Sequence, residues 1–292
     1  MKHTGKRDLT RWLFVLPAII VVCALFLYPI CSSVFYSFTN KNLIRPTYSF
    51  VGFDNYVKLF SDAKFWTSFG FNLFVGVFTI IGSNVFGFIL AYFLDENIKA
   101  KGVVRAMFFI PNIVSAVLVS FIWVFIFTNA MPALGGVLGW DWLANISWFG
   151  TPSMATVTII VVSIWQNIGF LMIIYTAGLQ TIPKDVMESA ELDGCSGLKK
   201  VLKIELPLLM PTVTINLFVS ISGAFKSFDI PNAMTGGGPY GSTMPVAMNI
   251  YQEAFTKYNL GYGSAKSVIL FLTVAAVTLI QLYCTRKKEV EY

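Results

Sequence analysis

The sequence predicts an all-α integral membrane protein with six transmembrane helices. Of its 292 residues, 56% are hydrophobic and only 12% are charged, and uncharged runs long enough to span a bilayer recur along the chain. Soluble domains carry about 25% charged residues, and a membrane helix needs about 20 mostly apolar ones. A water-soluble fold could not bury this much apolar surface, so the predicted solvent is a lipid bilayer.

Six uncharged runs locate the spans. They cover residues 12–40, 65–94, 106–140, 142–183, 206–225 and 267–285. Within them we predict helices at about 12–36, 69–94, 105–128, 154–178, 207–228 and 266–285. The stretch 230–252 is uncharged too, but its glycines and prolines predict a loop with at most a short interfacial helix.

The distribution of Lys and Arg predicts the orientation. The N-terminal tail 1–11, the second-to-third loop, the loop 179–207 and the C-terminal tail 286–292 together hold 14 of the 21 basic residues. Because cytoplasmic loops carry the excess of Lys and Arg, both termini and the loop 179–207 are predicted to be cytoplasmic. The net charge of +6 follows from this topology and requires no nucleic-acid partner.

The loop 179–207 has more internal order than a plain connector needs. Nine residues between Lys184 and Glu205 are charged, a quarter of all charged residues in the chain. Connections between neighbouring helices usually need about 2–8 residues. Pro183 and Ser196 predict two helix starts, and Gly194 predicts the end of the first helix. These features fit either an interfacial loop that contacts lipid headgroups or a docking element for a protein partner.

The residues of this loop resemble the EAA loop of ABC-transporter permeases. That motif reads E-A-A, three residues, G, nine residues, I-x-L-P. It is matched here by Glu188, Ser189, Ala190, Gly194, Ile204, Leu206 and Pro207. All spacings agree, and Ser189 in place of Ala is the one departure. The resemblance implies that these seven residues form coupling helices that dock on an ATPase subunit.

Other stretches are similar to maltose-type carbohydrate importers. These are VGFDNYVKLFSDAKFW at 51–66, TGGGP at 235–239, and YQEAFTKYNLGYGSAKSVILF at 251–271 followed by Gln281. The resemblance implies the permease fold of type I ABC importers, in a bacterial or archaeal cytoplasmic membrane. It also implies a second homologous permease, two ATPase subunits docked on the EAA loop, and an extracytoplasmic solute-binding protein that delivers a sugar.

Chemistry by this chain itself is not predicted. The sequence has no GxxxxGK[ST] motif to cradle a phosphate, its one histidine is His3, and its four cysteines lack metal-ligand spacing. We therefore expect no catalytic residue, metal or cofactor in this chain, and we expect ATP and Mg on the partner ATPases.

Small polar residues near the middle of the spans are the candidates for a solute path. They are Asn84 in the second span, Ser163, Trp165, Gln166 and Asn167 in the fourth, and Asn216 and Ser220 in the fifth. Amides and hydroxyls pair with sugar hydroxyls, and an indole ring can stack on a pyranose. The alternative for each Ser or Asn is a hydrogen bond between helices, which such residues commonly make in membranes.

Other functions remain open from the sequence. The first alternative is a permease for another polar solute, such as glycerol phosphate, and an anionic solute would favour basic residues in its path. A stand-alone secondary transporter would leave the patterned loop unexplained, and a structural anchor would not explain the amides. The sequence does not indicate which sugar is moved, whether the permeases form a homodimer or a heterodimer, or which of them supplies most of the solute site.

Overall fold

The computed structural model describes residues 14–95, without the side chain of Asp95, and 100–289. The predicted N-terminal tail 1–11, the first two residues of the first predicted span and the last three of the C-terminal tail lie outside these ranges. The described residues form α-helices joined by turns, with one isolated antiparallel bridge between Thr39 and Phe50. The predicted all-α membrane fold is confirmed.

Thirteen helices are numbered here in chain order within the described residues. They are α1 Phe14–Ser37, α2 Asp54–Phe60, α3 Ala63–Asp95, α4 Lys101–Ile113, α5 Ala116–Leu138, α6 Asp141–Ala144, α7 Pro152–Leu179, α8 Lys184–Leu192, α9 Gly197–Leu208, α10 Met210–Phe225, α11 Asp229–Thr235, α12 Val246–Tyr251 and α13 Leu260–Arg286. Among them α1, α3, α5, α7 and α13 are long and apolar enough to cross a bilayer, and the bent pair α9–α10 adds a sixth candidate span.

The third predicted span, 105–128, differs most from the structure. The chain there forms two helices, α4 and α5, because Val114 takes an extended conformation with ψ of 141°. Pro111 lies inside α4, where its ring removes a backbone donor and weakens the last turn. The long apolar helix therefore runs from Ala116 to Leu138, about ten residues beyond the prediction.

The fifth predicted span is also interrupted. Helices α9 and α10 meet at an angle of 75°, with Leu209 between them in a non-helical conformation. Pro211 has no N–H for the helical bond back to Pro207, so the helix breaks at this point. The predicted loop 230–252 contains the short helices α11 and α12, and a π-helical turn, Gln252–Thr256, follows α12.

The chain divides into two compact units, and the larger comprises Ala63–Asn249 with Leu272–Tyr292. Glycines allow its helices to approach closely. A Cβ on Gly169 of α7 would overlap the carbonyl oxygen of Phe108 in α4, and one on Gly87 of α3 would lie 3.3 Å from the backbone nitrogen of Met172. Such small residues let membrane helices pack by their backbones.

The smaller unit comprises the chain up to Asp62 with Ile250–Phe271, and a buried ionic cluster stabilises it. The Lys266 side chain is 1% exposed, and its Nζ lies 2.9 Å from Asp62 Oδ2 and 3.4 Å from Glu253 Oε2. Glu253 Oε2 also accepts from Lys257 Nζ at 2.8 Å, and Glu253 Oε1 accepts from Asn259 Nδ2 at 3.1 Å. Burial alone would raise the pKa of Glu253, but these hydrogen bonds and the charges of Lys266 and Lys257 outweigh it and hold the pKa below its usual value.

Candidate functional site

A cavity of about 240 Å³ with several polar groups in its wall opens among α3, α7 and α10 and the residues that follow α10. Its polar lining consists of hydroxyl groups, one amide and two side chains of opposite charge. These residues are Thr79, Ser83, Ser163, Asn167, Ser220, Lys226, Ser227 and Asp229. Apolar side chains such as Val75, Phe170 and Ile230 complete the walls. A few polar groups set in apolar walls are the usual composition of a small-molecule site.

Three of the predicted solute-path residues meet at this cavity. Ser163 and Asn167 lie one turn apart on α7, and Ser220 faces them from α10. The Asn167 amide donates one N–H to the carbonyl oxygen of Ser163 at 2.8 Å. Its second N–H and its carbonyl oxygen are the groups with which it can bind a solute hydroxyl.

Gln166 and Trp165 lie elsewhere, although they are adjacent to Asn167 in sequence. The Gln166 amide donates to the carbonyl oxygens of Pro111 and Val114, at 3.5 and 3.4 Å. The break between α4 and α5 leaves these carbonyl oxygens without helical partners, and the Gln166 amide supplies hydrogen bonds to them. In a membrane interior such backbone groups must be hydrogen-bonded within the protein. The Trp165 ring packs edge-on against Trp123, with the ring centroids 5.4 Å apart.

Asn84 and Asn216 take part in hydrogen bonds between helices instead of lining the cavity. Asn84 Oδ1 accepts from Tyr175 Oη at 2.9 Å, and Asn84 Nδ2 donates to Ser220 Oγ at 3.0 Å. Asn216, which is fully buried, donates to the carbonyl oxygen of Leu171 at 3.4 Å.

Sequence reasoning missed several residues of the lining. Thr79 and Ser83 are four apart on α3, and this spacing is a signal that could have placed both hydroxyls on one helix face. Lys226 and Ser227 belong to the turn that leads from α10 into α11, and Asp229 is the first residue of α11. Only the folded chain brings these three residues to the cavity.

The charged segment, defined as residues 184–207, begins with a helix that has a glycine-dependent end. Gly194 has φ of +73°, the left-handed conformation that glycine adopts without strain. The N–H of Cys195 donates to the carbonyl oxygen of Ala190 at 2.9 Å, and that of Gly194 to Glu191 at 3.0 Å. This pair of bonds is the Schellman motif, in which the glycine occupies the position after the C-cap.

The charged segment presents a mixed surface to its surroundings. Its exposed side chains include Glu188 and the apolar Leu192, Leu198 and Leu202, which are 89%, 72% and 55% exposed. An ion pair of 2.6 Å between Lys200 and Glu191 joins α9 to α8. Exposed apolar side chains at a charged surface mark a site that contacts a protein partner or a membrane.

The remaining motif residues support this surface. The motif residues Ser189, Ala190 and Ile204 line a shallow groove, together with the neighbouring Val186. The Ser189 hydroxyl donates to the carbonyl oxygen of Asp185 at 2.7 Å within its own helix. Ser189 stands where the motif has Ala, and this bond gives the additional hydroxyl a partner. Leu206 and Pro207 lie in the last turn of α9, which ends at Leu208 just before the bend into α10.

Comparison with known proteins decides the family. Residues 83–290 match the family described as binding-protein-dependent transport system inner membrane component. The chain belongs to this family. It is a multi-pass membrane protein and an ABC importer permease, which is a transport subunit and not an enzyme.

Two relatives match the permease over nearly its whole length. One is the probable starch degradation products transport system permease protein AmyD of Thermoanaerobacterium thermosulfurigenes, which is 34% identical over 98% of this chain and 97% of its own. The other is the multiple sugar-binding transport system permease protein MsmF of Streptococcus mutans, 34% identical over 96% of each chain.

A solved structure has the same fold as the permease. It is a bacterial ABC transporter involved in the import of the acidic polysaccharide alginate, and it has also been solved in complex with a periplasmic protein that holds an alginate pentasaccharide. The TM-score is 0.83 at 20% identity, with 97% of this chain and 96% of that chain covered.

Proposed function

We propose that this permease moves a neutral sugar or oligosaccharide through this cavity into the cytoplasm. The observation that carries the proposal is the lining, which contains serine hydroxyls from α3, α7 and α10 and the Asn167 amide. Such groups exchange hydrogen bonds with sugar hydroxyls without requiring a charge. The sugar-related names of AmyD and MsmF support the same substrate class.

The charged segment is the proposed entry point for the energy of ATP. Exposed Leu192 and Leu198 offer an apolar contact to an ATPase subunit, and the Schellman turn at Gly194 fixes the angle between α8 and α9. Because α7 leads into this segment and α10 leads out of it, a movement of the docked ATPase would reach both helices that carry Ser163, Asn167 and Ser220.

The proposed assembly contains a second homologous permease, two ATPases that bind ATP and Mg, and an extracytoplasmic solute-binding protein. The periplasmic protein bound to the alginate transporter supports the last of these. The excess of Lys and Arg supports a cytoplasmic location for both termini and the charged segment. The membrane proposed for the assembly is the cytoplasmic membrane of a bacterium or an archaeon. Compact loops on the other side, including TGGGP at 235–239, would contact the binding protein.

Uptake by the complete complex in proteoliposomes tests the substrate class. Asn167→Leu should abolish most uptake of maltose or trehalose while the ATPase subunits still co-purify, because it removes the amide from the cavity. Asn129→Leu is the matched control, since Asn129 lies on α5 and donates to Phe125 of its own helix. Normal uptake by Asn167→Leu would count against the cavity as the sugar path.

A second candidate, an anionic polar solute such as glycerol phosphate, is favoured by Lys226 at the cavity. An ammonium group can bind a phosphate or a carboxylate as a point charge. Uptake of glycerol 3-phosphate that is lost in Lys226→Met and kept in Lys226→Arg would support this candidate. Maltose uptake that is unchanged in Lys226→Met, with no glycerol 3-phosphate uptake by the wild type, would exclude it.

A further inference from the structure

A chain of hydrogen bonds joins the cavity wall to three membrane helices. It runs from Tyr175 Oη on α7 to Asn84 Oδ1 on α3, and from Asn84 Nδ2 to Ser220 Oγ on α10, at 2.9 and 3.0 Å. Ser220 Oγ then donates to the carbonyl oxygen of Asn216 at 2.7 Å. We propose that Tyr175 is a positioning residue for transport. Through Asn84 it fixes the Ser220 hydroxyl in the cavity wall. It thereby couples the position of that wall to α7 and α10, the helices before and after the charged segment. The inference rests on the proposed function.

Asn84 has little freedom in this arrangement. Its amide donates to the carbonyl oxygen of Ile80 at 2.8 Å as well as to Ser220, and its oxygen accepts from Tyr175. Both N–H groups and the oxygen are therefore engaged. Asn84 is 8% exposed and Tyr175 is 3% exposed, so water cannot readily replace these bonds. Removing the Tyr175 hydroxyl leaves a buried amide oxygen to find another partner, which favours rotation of the whole amide.

Ser220 links Asn84 to the cavity, because it accepts from Asn84 and also lines the cavity wall. Its hydrogen is directed at Asn216 and one of its lone pairs receives the Asn84 N–H. One lone pair remains, so the Ser220 oxygen meets a solute in the cavity as a hydrogen-bond acceptor. If Asn84 turned away, the Ser220 hydrogen would stay on Asn216, but the oxygen would lose the Asn84 N–H and expose a second lone pair. The direction from which Ser220 accepts a solute hydroxyl would then no longer be fixed.

The position of Tyr175 connects this orientation to the charged segment. Tyr175 lies in the last turns of α7, which ends at Leu179, five residues before α8 begins. Ser220 and Asn216 belong to α10, the helix that follows the segment. The network therefore bonds the helix before the segment and the helix after it to the same side chain of α3. A displacement of either helix changes the hydrogen bond that sets the cavity wall.

The test compares Tyr175→Phe with Tyr283→Phe in the complete complex. Both changes remove one hydroxyl and keep the ring, and Tyr283 is 64% exposed on α13. The variant Gly223→Cys reports the state of the cavity, because Gly223 lines it and a Cβ there would meet no atom within 4 Å. The four native cysteines are replaced by Ala. The measured quantity is the change in the rate of maleimide labelling on addition of ATP and vanadate.

We expect Tyr175→Phe to reduce this nucleotide-driven change by roughly 3- to 18-fold, the factor that one hydrogen bond between membrane helices is worth. Tyr283→Phe should leave it unchanged.

In maltose or trehalose uptake, Ser220→Ala combined with Tyr175→Phe should be no worse than the more impaired single variant, because Tyr175 acts through Ser220. A Tyr175→Phe complex that labels as the wild type does, or two uptake losses that multiply, would overturn the inference.

The same experiment separates this inference from the proposed function. If the wild-type complex moves neither maltose nor trehalose, but its labelling change depends on Tyr175, the sugar proposal fails and the positioning role is supported. If sugar uptake is normal in both Tyr175→Phe and Ser220→Ala, the positioning role fails and the sugar proposal stands.

Discussion

The N–H of Cys195 donates to the carbonyl oxygen of Ala190 at 2.9 Å, and this bond closes helix α8 around Gly194. The turn requires a left-handed conformation, which costs a non-glycine residue about 1–2 kcal/mol. No atom lies within 4 Å of a Cβ placed on Gly194, so the cost of adding one comes from the backbone alone.

Gly194→Ala is therefore expected to weaken ATPase docking modestly, and Gly194→Pro to abolish it. Proline fixes φ near −65°, whereas Gly194 has φ of +73°. Co-purification of the ATPase subunits and maltose uptake are the measurements. Gly70→Ala is the control, because Gly70 lies within α3 and its Cβ would also meet open space. ATPase assembly and uptake that survive Gly194→Pro would remove the charged segment from the coupling path.

Acidification should loosen the smaller unit through Glu253. Its pKa is held below the usual value in the folded chain, so its ionised form contributes stability above the ordinary carboxyl pKa. That contribution is lost as the pH falls through the lowered pKa, where the folded state must also take up the proton. The midpoint of thermal unfolding in detergent should fall on acidification in the wild type and less steeply in Glu253→Gln. The exposed Glu188→Gln variant should follow the wild type, and a Glu253→Gln profile parallel to the wild type would contradict the prediction.

Removing the cation of the ionic cluster should be more damaging than removing a surface lysine. Lys266→Met removes the buried ammonium group that lies within 4 Å of both Asp62 and Glu253, although Glu253 keeps its bonds from Lys257 and Asn259. Breaking a buried ion pair by deleting one partner costs about 3–5 kcal/mol. We expect a markedly lower midpoint of thermal unfolding for Lys266→Met. For the exposed Lys64→Met, the free energy of unfolding should change by less than about 0.5 kcal/mol, so its midpoint should stay near that of the wild type. Similar midpoints for the two variants would show that the cluster contributes little.

The sequence was sufficient where the structure depends on local rules. The helix over Lys184–Leu192 and the turn at Gly194 follow from residues a few positions apart. The apolar runs located the long helices, but run length alone did not show the breaks at Val114 and Leu209. The cavity depends on helix rotation, which apolar sequences specify poorly because nearly every face is hydrophobic. Gln166 and Asn167 were predicted together as lining residues, yet adjacent helical residues point about 100° apart. Asn167 faces the cavity and Gln166 faces the break in the next helices.

Gln166→Leu should separate these two roles. The variant leaves the carbonyl oxygens of Pro111 and Val114 without the amide that now donates to them. Backbone groups that lose their partners away from water cost about 1–3 kcal/mol each, and distances of 3.4 and 3.5 Å place these bonds at the weak end of that range. The thermal midpoint of the complex should therefore fall.

Because Gln166 lies outside the cavity lining, the maltose concentration for half-maximal uptake should stay the same in the complex that remains folded. Asn167→Leu should show the opposite pattern, with a stable complex and impaired uptake. A Gln166→Leu complex of normal stability that fails to recognise maltose would place Gln166 on the solute path after all.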